Sequence, residues 1–130
     1  MHRLIIAPLI ALVFLTLAAC GGEKTYDDFD HINHWDDLDQ LTGDQSLVYF
    51  YTRTCPACTS IKTDVLDMLS QLMDDVEVYL VDATVVQGQP PIELRYVPTL
   101  IVFHDGVVSD HMIGPQPVLT YLGNELAARE

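Results

Sequence analysis

The stretch that decides the fold is "SLVYFYTRTCPACTSIK", residues 46–62. Its first six residues form an unbroken apolar, aromatic and β-branched run, the pattern of a central strand covered on both faces. Cys55 and Cys58 follow, separated by Pro56 and Ala57. From Pro56 onward Ile61, Val65, Leu69, Leu72 and Met73 recur on one helical face, while Lys62, Asp64, Asp67 and Gln71 face water. Pro56 suits the first turn of that helix, where its missing N–H is harmless. The cysteine pair is therefore predicted at a strand-to-helix junction.

Working outward, Ile32, Trp35, Leu38 and Leu41 recur at steps of three after Asp30, which predicts an amphipathic helix with acids and histidines on its solvent side. "VEVYLVDA" (76–83) reads as a second buried strand, and "TVVQGQPP" as an irregular connection to a short helix around Ile92 to Arg95. Beyond Pro98, "TLIVF" and "VVSDHMI" are strands joined by Asp105-Gly106, a dipeptide suited to the positive φ angles of a type I′ turn. After Gly114-Pro115 a last helix carries Val118, Leu119, Leu122 and Leu126. The predicted order is α, β, α, β, short α, β, β, α, with a small strand near Tyr26. Helices between strands predict parallel pairing, and the final hairpin adds antiparallel pairs. The fold class is α/β, a mixed sheet sandwiched between helices.

A Cys-x-x-Cys pair at such a junction has a physical logic. Unpaired N–H groups and the positive end of the helix dipole stabilise a thiolate at Cys55, whose type ordinarily titrates near about 8.5. Cys58, one turn later, is placed to attack the Cys55 sulfur in a mixed disulfide. The rival reading, zinc, needs two more ligands. No second cysteine pair exists, His104 and His111 lack ligand spacing, and "DDFDHINHWDD" has the period of an amphipathic segment and lacks the calcium-loop pattern. No metal site is expected.

"SLVYFYTRTCPACTSIK" taken together with "LRYVPTLIVFHDG" (94–106) resembles the thioredoxin superfamily over most of residues 30–128. That resemblance implies a thioredoxin-like fold and a thiol:disulfide oxidoreductase without an organic cofactor, its redox centre the Cys55–Cys58 disulfide. It implies Cys55 as nucleophile and Cys58 as resolving thiol. It further implies a cis Val97-Pro98 peptide opposite them, where Val97, Pro98 and Thr99 bind a partner's extended chain. The sequence departs from the family at several points: Thr54 stands where a Trp is usual, Pro56-Ala57 replaces Gly-Pro, Tyr49 occupies the place of a buried Asp, and Val78 that of a lysine. Arg53, Thr54, Pro56 and Ala57 are the candidates for tuning the pair, with Lys62 and Arg95 as further nearby cations. Ala57 offers the thiolate neither charge nor a side-chain hydrogen bond, so an intermediate or reducing potential is expected rather than a strongly oxidising one. The alternative is a non-catalytic thioredoxin-like module that supports secretion or surface assembly, its cysteine pair a structural disulfide.

The first residues read differently. "MHRLIIAPLIALVFLTLAAC" runs from Arg3 through an apolar stretch to small residues, the layout of a secretory signal. Leu4 to Ala19 is short for a membrane span and contains Pro8. Leu17-Ala18-Ala19-Cys20 resembles the lipobox of bacterial lipoproteins, which implies lipidation of Cys20. The expected organisation is a signal peptide over residues 1–19, a lipidated cysteine and tether over 20–29, and one domain over 30–130. Loss of Arg3 with the signal leaves five of the six Lys and Arg against nineteen Asp and Glu. Such a surface excludes nucleic acid as a partner and makes a covalent lipid, not a basic patch, the means of holding a membrane. The expected setting is the extracytoplasmic face of a cell membrane, with a monomer exchanging disulfides with protein thiols and recharged by a membrane or extracytoplasmic redox partner.

Overall fold

The computed structural model describes residues 22–130, so Cys20 and the signal-like segment lie outside the described residues. Strand β1 (Gln45–Tyr51) occupies the middle of a four-stranded sheet. It pairs in parallel with β2 (Glu77–Asp82) and antiparallel with β3 (Thr99–His104), and β3 pairs antiparallel with β4 (Val107–Ile113). The sheet order is β2-β1-β3-β4. Helix α1 (Pro56–Leu72) follows β1, and α2 (Pro115–Ala127) closes the chain. This is the mixed α/β sheet between helices that the sequence predicts.

Every residue of β1 after Gln45 is buried, because successive side chains point into two different cores. Leu47, Tyr49 and Tyr51 join Ile61, Val65, Leu66 and Leu69 of α1 and Val118 and Leu122 of α2 on one face. Val48 and Phe50 join Ile32, Trp35, Leu38 and Leu41 on the other, with Ile101 and Phe103 of β3. The turn at Asp105-Gly106 has φ of 51° and 78°, the two positive angles a type I′ hairpin needs.

The first helix is where the sequence reading is corrected. Asp30 to His34 is not helical: Ile32 N–H donates to Leu80 O at 2.9 Å and Leu80 N–H to Asp30 O at 2.9 Å, so this stretch lies along the free edge of β2. Only Trp35–Gln40 coils, and it does so as a 3-10 helix. The step of three between Ile32, Trp35, Leu38 and Leu41 matches three residues per turn better than the 3.6 of an α-helix. All four are buried, so the apolar face was correctly located and the helix type was not.

Other corrections are smaller. The residues near Tyr26 form a 3-10 turn, Tyr26–Asp28, in place of a strand. Tyr26 and Phe29 are buried in the α1-side core, so the folded unit takes in residues that the sequence reading left to the tether. No helix forms at Ile92 to Arg95. Without a helical crossover there, the chain enters β3 antiparallel to β1, where helix-separated strands had predicted parallel pairing. Met73 caps α1 at 42% exposure and does not belong to its buried face.

Trp35 is 6% exposed and its ring lies parallel to Phe50, centroids 5.8 Å apart. Replacing it with Ala is expected to cost about 3–5 kcal/mol of stability in urea unfolding, the range for a buried aromatic truncated in a packed core.

Candidate active site

Cys55 and Cys58 are brought together at the end of β1 and the start of α1. Cys55 is the N-cap of α1, in extended conformation with φ −79° and ψ 116°, and Pro56 opens the helix. This geometry turns the Cys55 side chain back over the first helical turn, where Cys58 N–H donates to Cys55 Sγ at 3.1 Å. The helix thus aims a backbone donor and its positive end at one sulfur. Both cysteines are free thiols, Cys55 half-buried and Cys58 fully buried.

The two sulfurs have opposite surroundings. Burial pushes the Cys58 thiol up to about 12, and the side-chain hydrogen bond with Cys55 adds to the effect. A fully enclosed thiolate loses its hydration, so the neutral form is favoured. Cys55 has an open side instead.

Facing it is the loop before β3. The Val97-Pro98 peptide is cis, and Cys55 Sγ–H donates to Val97 O at 3.7 Å. Gly114 N–H donates to Pro98 O at 2.8 Å, tying this loop to the start of α2, and Thr99 Oγ1–H donates to Tyr96 O at 2.8 Å. Pro98 and Thr99 are buried, while Tyr96 is 65% exposed at the rim. Val97 is therefore the loop residue whose carbonyl directly meets the cysteine pair.

The nearby cations do not gather on the sulfur. Arg53 Nη2 pairs with Asp27 at 2.9 Å and its Nε lies 3.7 Å from buried Asp82. Lys62 Nζ sits 4.9 Å over the Tyr26 ring, and Arg95 pairs with Glu93. Thr54 and Pro56 are exposed and Ala57 is half-buried.

Behind the cysteines stands a stack the sequence reading treated only as core. Tyr26 lies on Tyr51 with centroids 3.8 Å apart and planes 12° from parallel, and Tyr51 is parallel to Tyr49 at 6.3 Å. Tyr51 Oη–H bonds His31 Nε2 at 2.7 Å, while His31 Nδ1 faces Phe29 O at 2.9 Å. Because a carbonyl only accepts, Nδ1 is the nitrogen that carries the proton when the ring holds one, and Nε2 is then the acceptor for Tyr51 Oη–H. The alternation of Tyr49 and Tyr51 along β1 was the available signal; the addition of Tyr26 from outside the sheet had none. Among the described residues no three His, Cys, Asp or Glu side chains gather as a metal site.

A four-stranded mixed sheet, a Cys-x-x-Cys at the first turn of the helix after its central strand, and a cis-proline loop opposite define the thioredoxin-like class. The family model for thioredoxin matches residues 29–123, and the chain belongs to that family. Among solved structures, mitochondrial thioredoxin 3 of Saccharomyces cerevisiae in its oxidized form is similar at 22% identity and TM-score 0.65, covering 81% of this chain and 99% of that one. Fasciola hepatica thioredoxin is similar at 21% identity and TM-score 0.58, covering 78% and 100%. Malassezia sympodialis thioredoxin is similar at 22% and 0.60, covering 77% and 89%. Among curated proteins none matches the chain in sequence.

The raised Cys58 titration has a stability consequence. In the unfolded chain this thiol ionises near 9.0, whereas in the fold it does so near 12. Above pH 9 the unfolded state therefore binds fewer protons than the folded one, and stability falls as pH rises toward the folded value. Denaturant unfolding of the reduced protein is expected to lose up to about 1.4 kcal/mol per pH unit more than the oxidised protein, which lacks that proton. Tyr51 and Tyr121 are shifted by groups other than the cysteines and are common to both forms, whereas Tyr26 and Tyr49 also feel the cysteine charges, so the difference between the two forms reports the thiol pair together with its effect on those two rings.

Proposed function

We propose that this protein is a membrane-anchored, extracytoplasmic thiol:disulfide oxidoreductase acting on other proteins. One observation carries the reading: Cys55 Sγ accepts the Cys58 amide hydrogen bond at the helix start while keeping an open side beside the Val97 carbonyl. A sulfur held this way is a nucleophile with a docking strip next to it.

The reaction is disulfide exchange. The Cys55 thiolate attacks a client disulfide, forming a Cys55–client S–S bond and releasing the other client sulfur as a thiolate that takes a proton from water. Cys58 then gives up its proton and attacks Cys55 Sγ. The Cys55–Cys58 bond forms, the mixed disulfide breaks, and the client leaves with both sulfurs reduced. The client's extended backbone lies along Val97, Pro98 and Thr99. The same steps in reverse oxidise a client dithiol. No organic cofactor takes part.

Lipidation of Cys20 fastens the domain to the membrane, with residues 21–25 as the connection. Two or more acyl chains suffice for stable attachment, since each buried CH2 contributes about 0.8 kcal/mol. An acidic exterior adds nothing to that attachment.

Cys58→Ala is expected to accumulate mixed disulfides through Cys55 in cells, visible as reductant-sensitive adducts, and Cys55→Ala to abolish both the adducts and insulin reduction. Absence of adducts from Cys58→Ala would leave the protein as a binding module with an inert pair. In membrane fractionation, wild type is expected in the membrane pellet and Cys20→Ser in the soluble fraction, with loss of the lipid mass.

A further inference from the structure

The resolving step poses a problem that the Cys55 geometry does not solve. Cys58 has no exposed surface, and it must ionise to attack. The apolar core around it includes Tyr26, Tyr49 and Tyr51. Among the described residues the buried carboxylate is Asp82, at the end of β2, and it is already engaged by Thr84 and by Arg53. Tyr51 is already engaged with His31. Tyr49 is not engaged at all. Among the described residues its Oη is the buried side-chain nitrogen or oxygen with no hydrogen-bond partner, in a residue of 0% exposure. A buried hydroxyl that no protein group engages is unusual, and such groups call for a reason.

Tyr49 belongs to the same core as Cys58 and lies on the β1 face that α1 covers. Burial first, and then the charge of Cys58 ahead of those of Tyr26 and Cys55, drive the Tyr49 hydroxyl well above the usual phenol range. It therefore keeps its proton throughout and acts as a donor, never as a base. A donor with no acceptor in the neutral site becomes useful only when charge develops beside it.

Resting on the oxidoreductase reading above, we propose that Tyr49 is a positioning residue for the resolving step, its hydroxyl donating to the Cys58 sulfur as that sulfur ionises. The proton leaves Cys58 for water, the thiolate is held by the Tyr49 O–H, and the S–S bond to Cys55 forms as the client sulfur departs. Tyr49 is neither oxidised nor deprotonated. The arrangement supports the second sulfur by a hydroxyl, while buried Asp82 stays occupied with Thr84 and Arg53.

The test separates the two half-reactions. Reduced wild-type protein mixed with 5,5′-dithiobis(2-nitrobenzoate) in a stopped-flow instrument releases one thionitrobenzoate when Cys55 attacks and a second when Cys58 resolves. In Tyr49→Phe the first phase is expected to be unchanged. The second is expected to slow on the order of tenfold at neutral pH, with its pH midpoint raised by about one unit, the equivalence of a tenfold thiolate loss to one pKa unit. Tyr26→Phe, from the same ring stack, is expected to leave the second phase as in wild type. An unchanged second phase in Tyr49→Phe, or an equal shift in Tyr26→Phe, overturns the assignment while leaving the oxidoreductase reading intact. Absence of the first phase in wild type overturns both.

Discussion

Burial of β1 on both faces is the constraint from which the remaining geometry follows. A strand flanked on each side by another strand, and covered above and below, has no freedom of register: a slip of one residue would exchange Tyr49 and Tyr51 with Val48 and Phe50 between two differently shaped cores. The end of the strand is fixed accordingly, and with it the point at which the chain turns into α1. Cys55 stands at that turn. Its position is set by packing many residues away from it.

From this junction arises the asymmetry of the two sulfurs. The N-cap position leaves Cys55 outside the helix, with a carbonyl on one side and an amide donor on the other. Cys58 is three residues on, which brings it round to the buried face of α1 with Ile61 and Val65. One helical turn thus separates an accessible sulfur from an enclosed one, and the enclosure that hides Cys58 also makes its ionisation costly. A site of this kind divides labour by depth. In the proposed exchange the outer sulfur meets partners, and the inner one ends the encounter.

Much of this could be read in the residues themselves. The strand before Cys55, the helix after it and the Asp105-Gly106 hairpin announce themselves through local patterns, whereas the cis Val97-Pro98 step came from the family resemblance alone. Where the reading failed, two periods were close together: a step of three in Ile32, Trp35, Leu38 and Leu41 fits an amphipathic α-helix loosely and a 3-10 coil better. The extended pairing of Asp30 to His34 with β2 carried no local mark, since its backbone bonds depend on an edge brought near by the rest of the fold. The partners of Arg53 were equally hidden, because Asp27 and Asp82 lie on separate segments. Tyr49 was visible as a departure from the family pattern, but only its burial shows that the hydroxyl is left alone.

The tyrosine stack also fixes how the start of the described chain meets the site. Tyr26 is pressed against Tyr51, Asp27 is clasped by Arg53, and Lys62 lies over the Tyr26 ring, so the segment beginning at Gly22 is pinned to residues on both sides of the cysteine loop. Glu23 also accepts from Thr63 of α1, so any leash fastened at Gly22 meets the body of the domain within a residue of its attachment. Under the proposed lipid anchor, the reactive face would be hobbled close to the bilayer, and its clients would have to reach it there.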